Sequence, residues 1–232
     1  MNINVLFFGQ PRYLGNGYVY RSIYNEVLNK YPGSKVYAHM WFDLETSNLK
    51  SSSWVEGQPY VPYDAPSRFW SLYNPEKFLI EKPRNFSIKS INSERLLDSR
   101  YYSEENVSNA FSQMYSIKEV SRLALEDSSE DDLYILTRYD GILQRIPELD
   151  NIEFKNHLII PMGTSEFNDL VWIFGKKVLE KLTEMKTDGL HAGQEALNHP
   201  IPEEFKKLWF VDKCKGIKLV KYNMYSEIVR SI

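Results

Sequence analysis

Asp132-Leu133-Tyr134-Ile135-Leu136-Thr137-Arg138-Tyr139-Asp140-Gly141 decides the fold. Leu133 to Leu136 is an unbroken apolar and aromatic run, entered from an acidic pair and stopped by glycine. That is the pattern of a short strand covered on both faces of a parallel sheet. Its carboxyl end then carries Arg138 and Asp140. In open α/β sheets, ligands lie in the crevice beyond the carboxyl ends of the strands, so a cation and an anion arrive where binding and chemistry usually occur. The plainer alternative is a salt-bridged strand end before a turn, since charged side chains are mostly exposed and structurally neutral.

Outward from this strand, Asn2 to Phe8 reads as a second strand running into Gly9-Gln10-Pro11-Arg12. Glycine lets a backbone approach a ligand closely, and proline stiffens the exit. Arg12 then projects over the sheet edge, where a guanidinium can grip phosphate with two hydrogen bonds; the alternative is a solvated arginine. The turn lacks the full glycine fingerprint of a dinucleotide site, which argues against a Rossmann dehydrogenase. Tyr18 to Tyr31 has helical spacing and ends at Pro32-Gly33. Lys35 to Phe42 reads as a strand that places His39 and Trp41 on one face. His39 reads as a core or supporting histidine rather than a metal ligand, because no partner sits at ligand spacing.

Asp43 to Asn74 reads as irregular and rich in aromatics, within a long loop region spanning 43–100, with short strands at Lys77 to Lys82 and Phe86 to Ile91. Long loops in compact domains are usually functional or mobile, and the aromatics of this one suggest a surface that folds over something. Ser103 to Glu126 reads as a helix whose face of Phe111, Met114, Ile117 and Val120 is core, and Glu126 to Asp132 as solvated loop. Further strands are expected at His157 to Met162, around Phe167 to Gly175, and at Ile217 to Tyr222 as the last one, with a helix over Lys176 to Met185. Asn168 and Asp169 either meet a hydroxyl or metal, or cap a turn. Glu195 stands at helical spacing from His191 and His199, but nearby glycines and a proline argue against a rigid metal-binding helix.

The chain of 232 residues is long enough for one sizeable core, so 1–232 is expected to be a single domain. Its formal net charge of -3 disfavours nucleic acid as a main partner. One cysteine, Cys214, cannot form an internal disulfide, and the apolar run Ile3 to Phe8 is too short for a signal core or a span. The expectation is a protein of the cytoplasm, of a cell or infected host, with no membrane span. Aromatic residues make up 14% of the chain, an excess that serves sugar stacking or core packing equally well.

Taken in order, Gly9-Gln10-Pro11-Arg12, His39-Met40-Trp41, Gln113-Met114-Tyr115-Ser116, Leu136-Thr137-Arg138-Tyr139-Asp140, Asn168-Asp169 and the segment Glu195 to Asn198 resemble a family of small GT-A-type glycosyltransferases. These are known from viruses, phages and bacterial polysaccharide clusters. Asn198 stands where that family usually has leucine. The resemblance implies a GT-A-like (Rossmann-like) α/β domain with a mostly parallel sheet flanked by helices, a nucleotide-sugar donor, and a glycan or related acceptor. It implies donor contacts from Gly9, Gln10, Arg12, Gln113, Ser116, Arg138 and Asp140, and acceptor contacts from His39, Trp41, Asn168 and Trp172. It also implies a divalent cation, Mn2+ or Mg2+, held by Asp140. The family's Asp-x-Asp element is here Arg138-Tyr139-Asp140, so either one carboxylate holds the ion with help from diphosphate and water, or Arg138 takes part of its place. In an inverting transfer, Asp169 or Glu195 is the candidate base. The rival readings are a non-catalytic nucleotide-sugar or carbohydrate binding module on the same fold, and a nucleotidyltransferase. The second normally offers a glycine-rich, basic first loop, which is not found here.

Overall fold

Leu133 to Arg138 forms strand β4, and the first five of its residues are buried. In the computed structural model, residues 1–45, 61–84, 86, 104–150, 152–162, 168, 170–185 and 202–228 are described. Along them run β1 (Ile3–Gly9), α1 (Gly17–Ile23), β2 (Lys35–Trp41), α2 (Ala65–Tyr73), β3 (Lys77–Glu81) and α3 (Glu104–Leu125). After β4 come β5 (Gly141–Gln144), β6 (His157–Pro161), β7 (Val171–Gly175), α4 (Lys176–Thr183), α5 (Pro202–Lys213), β8 (Lys218–Tyr222) and β9 (Tyr225–Ile228). Seven strands make the main sheet in the order β3-β2-β1-β4-β7-β6-β8, while β5 and β9 pair as a separate ribbon.

The sheet is mostly parallel. β1 lies parallel to β2 and β4, β2 to β3, and β6 to β8; β7 alone is antiparallel to both its neighbours, β4 and β6. The expected central strand is therefore parallel to a neighbour on one side only. The 162–170 connection is shorter than the roughly dozen residues a parallel crossover requires, so a reversed β7 follows from chain length.

Period-two alternation divides the core. Leu6, Phe8, Tyr37, Tyr134 and Leu136 face α3, α4 and α5 through Phe111, Met114, Ile117, Val178, Leu182, Trp209 and Phe210. Val5, Phe7, Val36, Ala38 and Ile135 face α1 and α2 through Val19, Ile23, Phe69 and Tyr73. The result is a three-layer α/β arrangement, and much of the aromatic excess is interior. Phe7 packs edge-on to Phe69 at 5.2 Å and stacks on Tyr139 at 5.5 Å. Tyr139 in turn donates its hydroxyl proton to His39 O at 3.1 Å.

Several segments depart from the sequence expectation. Ala65–Tyr73 is a helix inside the stretch read as irregular, with proline in its first turn and the left-handed Asn74 (φ 42°) at its end. Helix α1 stops at Ile23 and continues as a π-turn over Tyr24–Leu28. Helix α5 was not expected, nor was β9 beyond β8. Asp132, placed in a solvated loop by the sequence, is buried. Its Oδ1 accepts from Asn2 N at 2.9 Å and its Oδ2 from Ser129 N at 3.0 Å, pinning the start of β4 to the chain's beginning. Burial works to raise the Asp132 pKa, but these hydrogen bonds outweigh it and hold the carboxyl below its usual value. Among the described residues, no helix is long and apolar enough to cross a membrane.

Candidate functional site

The carboxyl ends of β1, β2, β3 and β4 share one rim of the sheet. Phe8 is in register with both His39 and Arg138, and Trp41 with Glu81. The Gly9 turn and the Arg138 strand end are thus adjacent, as the sequence required. Gly9 adopts φ +97°, which disfavours a side chain whatever the space, and its would-be Cβ position has no atom within 4 Å. Its N–H donates to Ser116 Oγ at 2.7 Å. The turn closes by Arg12 N donating to Gln10 O at 2.8 Å, and Arg12 Nε donates to Gln10 Oε1 at 3.1 Å.

Arg138 and Asp140 form a two-pronged ion pair. Nε donates to Oδ1 and Nη2 to Oδ2, each at 2.8 Å, with Asp140 1% exposed. This fork geometry fixes the guanidinium plane at the strand end. Gly141 permits the tight chain return, because a Cβ there would meet Thr137 Oγ1 at 2.8 Å. The Arg12 guanidinium is pushed down to about 10, first by burial and then by the charge of Arg138, with Asp140 opposing. Arg12 therefore remains cationic at neutral pH, and the Arg138 guanidinium is close enough to repel it.

A second set of contacts joins this rim to α3. His39 is fully buried; its Nδ1 lies 2.7 Å from Ser116 Oγ and its Nε2 2.9 Å from Glu81 Oε2. Proton bookkeeping orders the chain. Ser116 Oγ accepts from Gly9, so its hydroxyl proton can go to Nδ1, and neutral His39 then donates from Nε2 to the Glu81 carboxylate. Burial depresses the His39 pKa below its usual value, despite the raising effect of Glu81, which favours this neutral form. Arg84 continues the line, pairing with Glu81 Oε1 at 2.8 Å and lying 4.0 Å from the Tyr115 ring centroid. Trp41 stacks on Tyr115 at 5.4 Å, 3% exposed, with Nε1 donating to Ser112 O at 3.3 Å.

The structure distributes the predicted residues unevenly. Gly9, Gln10, Arg12, Arg138 and Asp140 come together at the rim. Ser116 reaches the same turn as a support for Gly9, while Gln113 Oε1 accepts from Lys206 Nζ at 3.1 Å. His39, Trp41 and Trp172 lie in the interior and present no broad stacking face to an acceptor; Trp172 is 1% exposed and donates from Nε1 to Asn168 O at 3.1 Å. Asn168 makes the turn-capping alternative, with Oδ1 accepting from Leu170 N at 3.0 Å. Val171 pairs with Thr137, so this turn still sits on the same rim. Asp169, Glu195 and Asn198 lie outside the described residues, as does most of the 43–100 region. So does the strand expected at Phe86 to Ile91, apart from Phe86.

A divalent ion at Asp140 does not fit the side chains present. Both Asp140 oxygens are engaged by Arg138, and a second guanidinium, Arg12, stands close by. Among the described residues, no group of three His, Cys, Asp or Glu side chains is placed to hold a metal. What the rim offers instead is an arginine pair suited to an anion with several oxygens.

Sequence reasoning missed Lys206. It is fully buried on α5, with Nζ 5.9 Å from the Phe8 ring centroid. The signal was legible: Lys206 stands three and four residues before Trp209 and Phe210, on the apolar stripe of the helix. No protein-family model matches the chain, and no curated protein matches it.

Proposed function

We propose that this protein is a glycosyltransferase of the GT-A type, moving a sugar from a nucleotide-sugar donor to a glycan or related acceptor. One observation carries the reading: the buried strand β4 delivers a forked Arg138–Asp140 pair to the rim that also holds the Gly9–Arg12 turn. In such a transfer the bond from the anomeric carbon to the diphosphate oxygen breaks, and the diphosphate leaves with the electron pair. The acceptor oxygen forms the new bond and gives its proton to a base, for which Asp169 and Glu195 are the candidates. Negative charge grows on the leaving diphosphate, so fixed guanidinium groups bind the transition state more tightly than the ground state. Asp140 serves by holding Arg138 in place.

That supporting role for Asp140 also favours a second reading, a non-catalytic nucleotide-sugar binding module on the same fold. Incubation with a panel of nucleotide sugars and candidate glycan acceptors separates the two. Release of nucleoside diphosphate by the wild type, lost in Arg138→Ala, supports the enzyme. Donor binding without turnover under every acceptor supports the module, and no binding of any nucleotide sugar refutes both.

A further inference from the structure

We infer that Glu81 is a positioning residue of the Gly9–Arg12 turn, acting through His39 and Ser116 without touching the ligand. This rests on the diphosphate reading above and adds to it a residue two strands away from the turn. The placement begins in the sheet. Trp41 and Glu81 are register partners on β2 and β3, and Gly9 pairs with Met40 from the other side of β2, so the three strand ends stand side by side. His39, Trp41 and Glu81 share the sheet face that α3 covers, because register partners and residues two apart point the same way. Across that face Glu81 Oε2 lies 2.9 Å from His39 Nε2, His39 Nδ1 2.7 Å from Ser116 Oγ, and Ser116 Oγ 2.7 Å from Gly9 N. Gly9 opens the turn in which Arg12 N donates to Gln10 O, so its anchor sets where Arg12 leaves the sheet.

What passes along this line is the direction of its hydrogen bonds. A carboxylate only accepts, so Glu81 assigns the imidazole proton to Nε2 and leaves Nδ1 bare. Ser116 must then donate to Nδ1, and its lone pairs are left to the Gly9 N–H. In the other tautomer Nδ1–H also donates to Ser116 Oγ. Two N–H groups then share one hydroxyl oxygen, and the serine proton has to find another acceptor at a fully buried position. Of the charged groups that act on the ring, Glu81, Glu119 and Arg84, the hydrogen bond comes from Glu81. That carboxylate is itself held in place, by Arg84 Nη2 donating to Oε1 at 2.8 Å and by a hydrogen bond with the Tyr115 side chain.

Inorganic pyrophosphate is the probe, titrated calorimetrically at about pH 7.5, where His39 is neutral, into the full chain and two variants, Glu81→Gln and Glu81→Leu. Both variants remove the charge and release Arg84 from its ion pair, so a charge effect moves them together. Only glutamine keeps an acceptor for His39 Nε2–H. Glu81→Leu is expected to bind about ten-fold more weakly than Glu81→Gln, the scale of one lost hydrogen bond. Nitrogen-15 spectra of the ligand-free protein read the tautomer directly, with the His39 signals identified by their loss in His39→Gln. They should show Nε2–H in wild type and Glu81→Gln, and Nδ1–H growing in Glu81→Leu. A merely structural role moves neither the tautomer nor the gap between two uncharged variants. Thermal unfolding verifies that both variants fold, and Glu81→Met serves if the leucine variant does not. Equal affinity in the folded variants, or a wild-type ring protonated at Nδ1, would overturn the inference and leave the diphosphate reading standing. Failure of wild type to bind pyrophosphate would remove the diphosphate reading and this inference with it.

Discussion

Replacing Asp140 by asparagine is the most informative single change at the rim, because the two roles considered for that carboxylate predict opposite outcomes. Asp140 is buried and makes two charge-assisted hydrogen bonds of 2.8 Å to Arg138. Breaking a buried ion pair from one side usually costs about 3–5 kcal/mol, since it strands the other charge. Arg138 retains 21% side-chain exposure, so water recovers part of its solvation, and asparagine keeps one acceptor. A loss of about 2–4 kcal/mol follows. With a urea slope of about 2–3 kcal/mol per molar for a chain of this size, the unfolding midpoint should fall by about 1 M. Pyrophosphate binding measured where the variant remains folded should persist, because the anion then meets an arginine no longer neutralised. A midpoint unchanged within about 0.2 M would refute the structural role. Complete loss of binding in folded Asp140→Asn would restore the carboxylate as a ligand-holding group.

Other expectations concern the same rim. Arg138→Ala should weaken nucleoside diphosphate binding by about 1–3 kcal/mol, the scale of a charged hydrogen bond, and an unchanged dissociation constant would remove Arg138 from the site. Ser116→Ala leaves the Gly9 N–H and His39 Nδ1 without their shared partner and should cost about 1–3 kcal/mol by urea unfolding; a neutral result would mean that the turn is held elsewhere. His39 has a depressed folded pKa, so the unfolded chain takes up its proton first as pH falls. Its contribution to stability is fully present above about pH 6.5 and declines as pH drops below it toward the folded value. Stability of wild type should therefore decrease between pH 7.5 and 5.5 more than that of His39→Gln, and parallel curves would contradict the neutral assignment.

The central strand and its charged rim were legible because both depend on local pattern. The Leu133 to Leu136 run fixes burial, and parallel packing of β1 beside β4 brings Gly9 and Arg138 to the same end. The supporting contacts were not legible in the same way. Ser116 meets Gly9 across 107 positions and Lys206 meets Gln113 across 93, and no local propensity encodes such meetings. The β5–β9 ribbon is equally nonlocal. Other misses had readable signals. Pro66 and Asn74 bracket α2, and Pro202 with Glu203 and Glu204 opens α5 with a suitable first turn. His39 and Trp41 share a strand face as period two requires, but α3 covers that face, so the pair became interior.

The most direct test is a crystal of the protein soaked with a nucleoside diphosphate, chosen as the one that most raises its thermal midpoint. The account predicts diphosphate oxygens within about 3 Å of the Arg138 guanidinium and beside the Gly9–Arg12 turn. A diphosphate bound elsewhere, with Arg138 and Arg12 untouched, would contradict it.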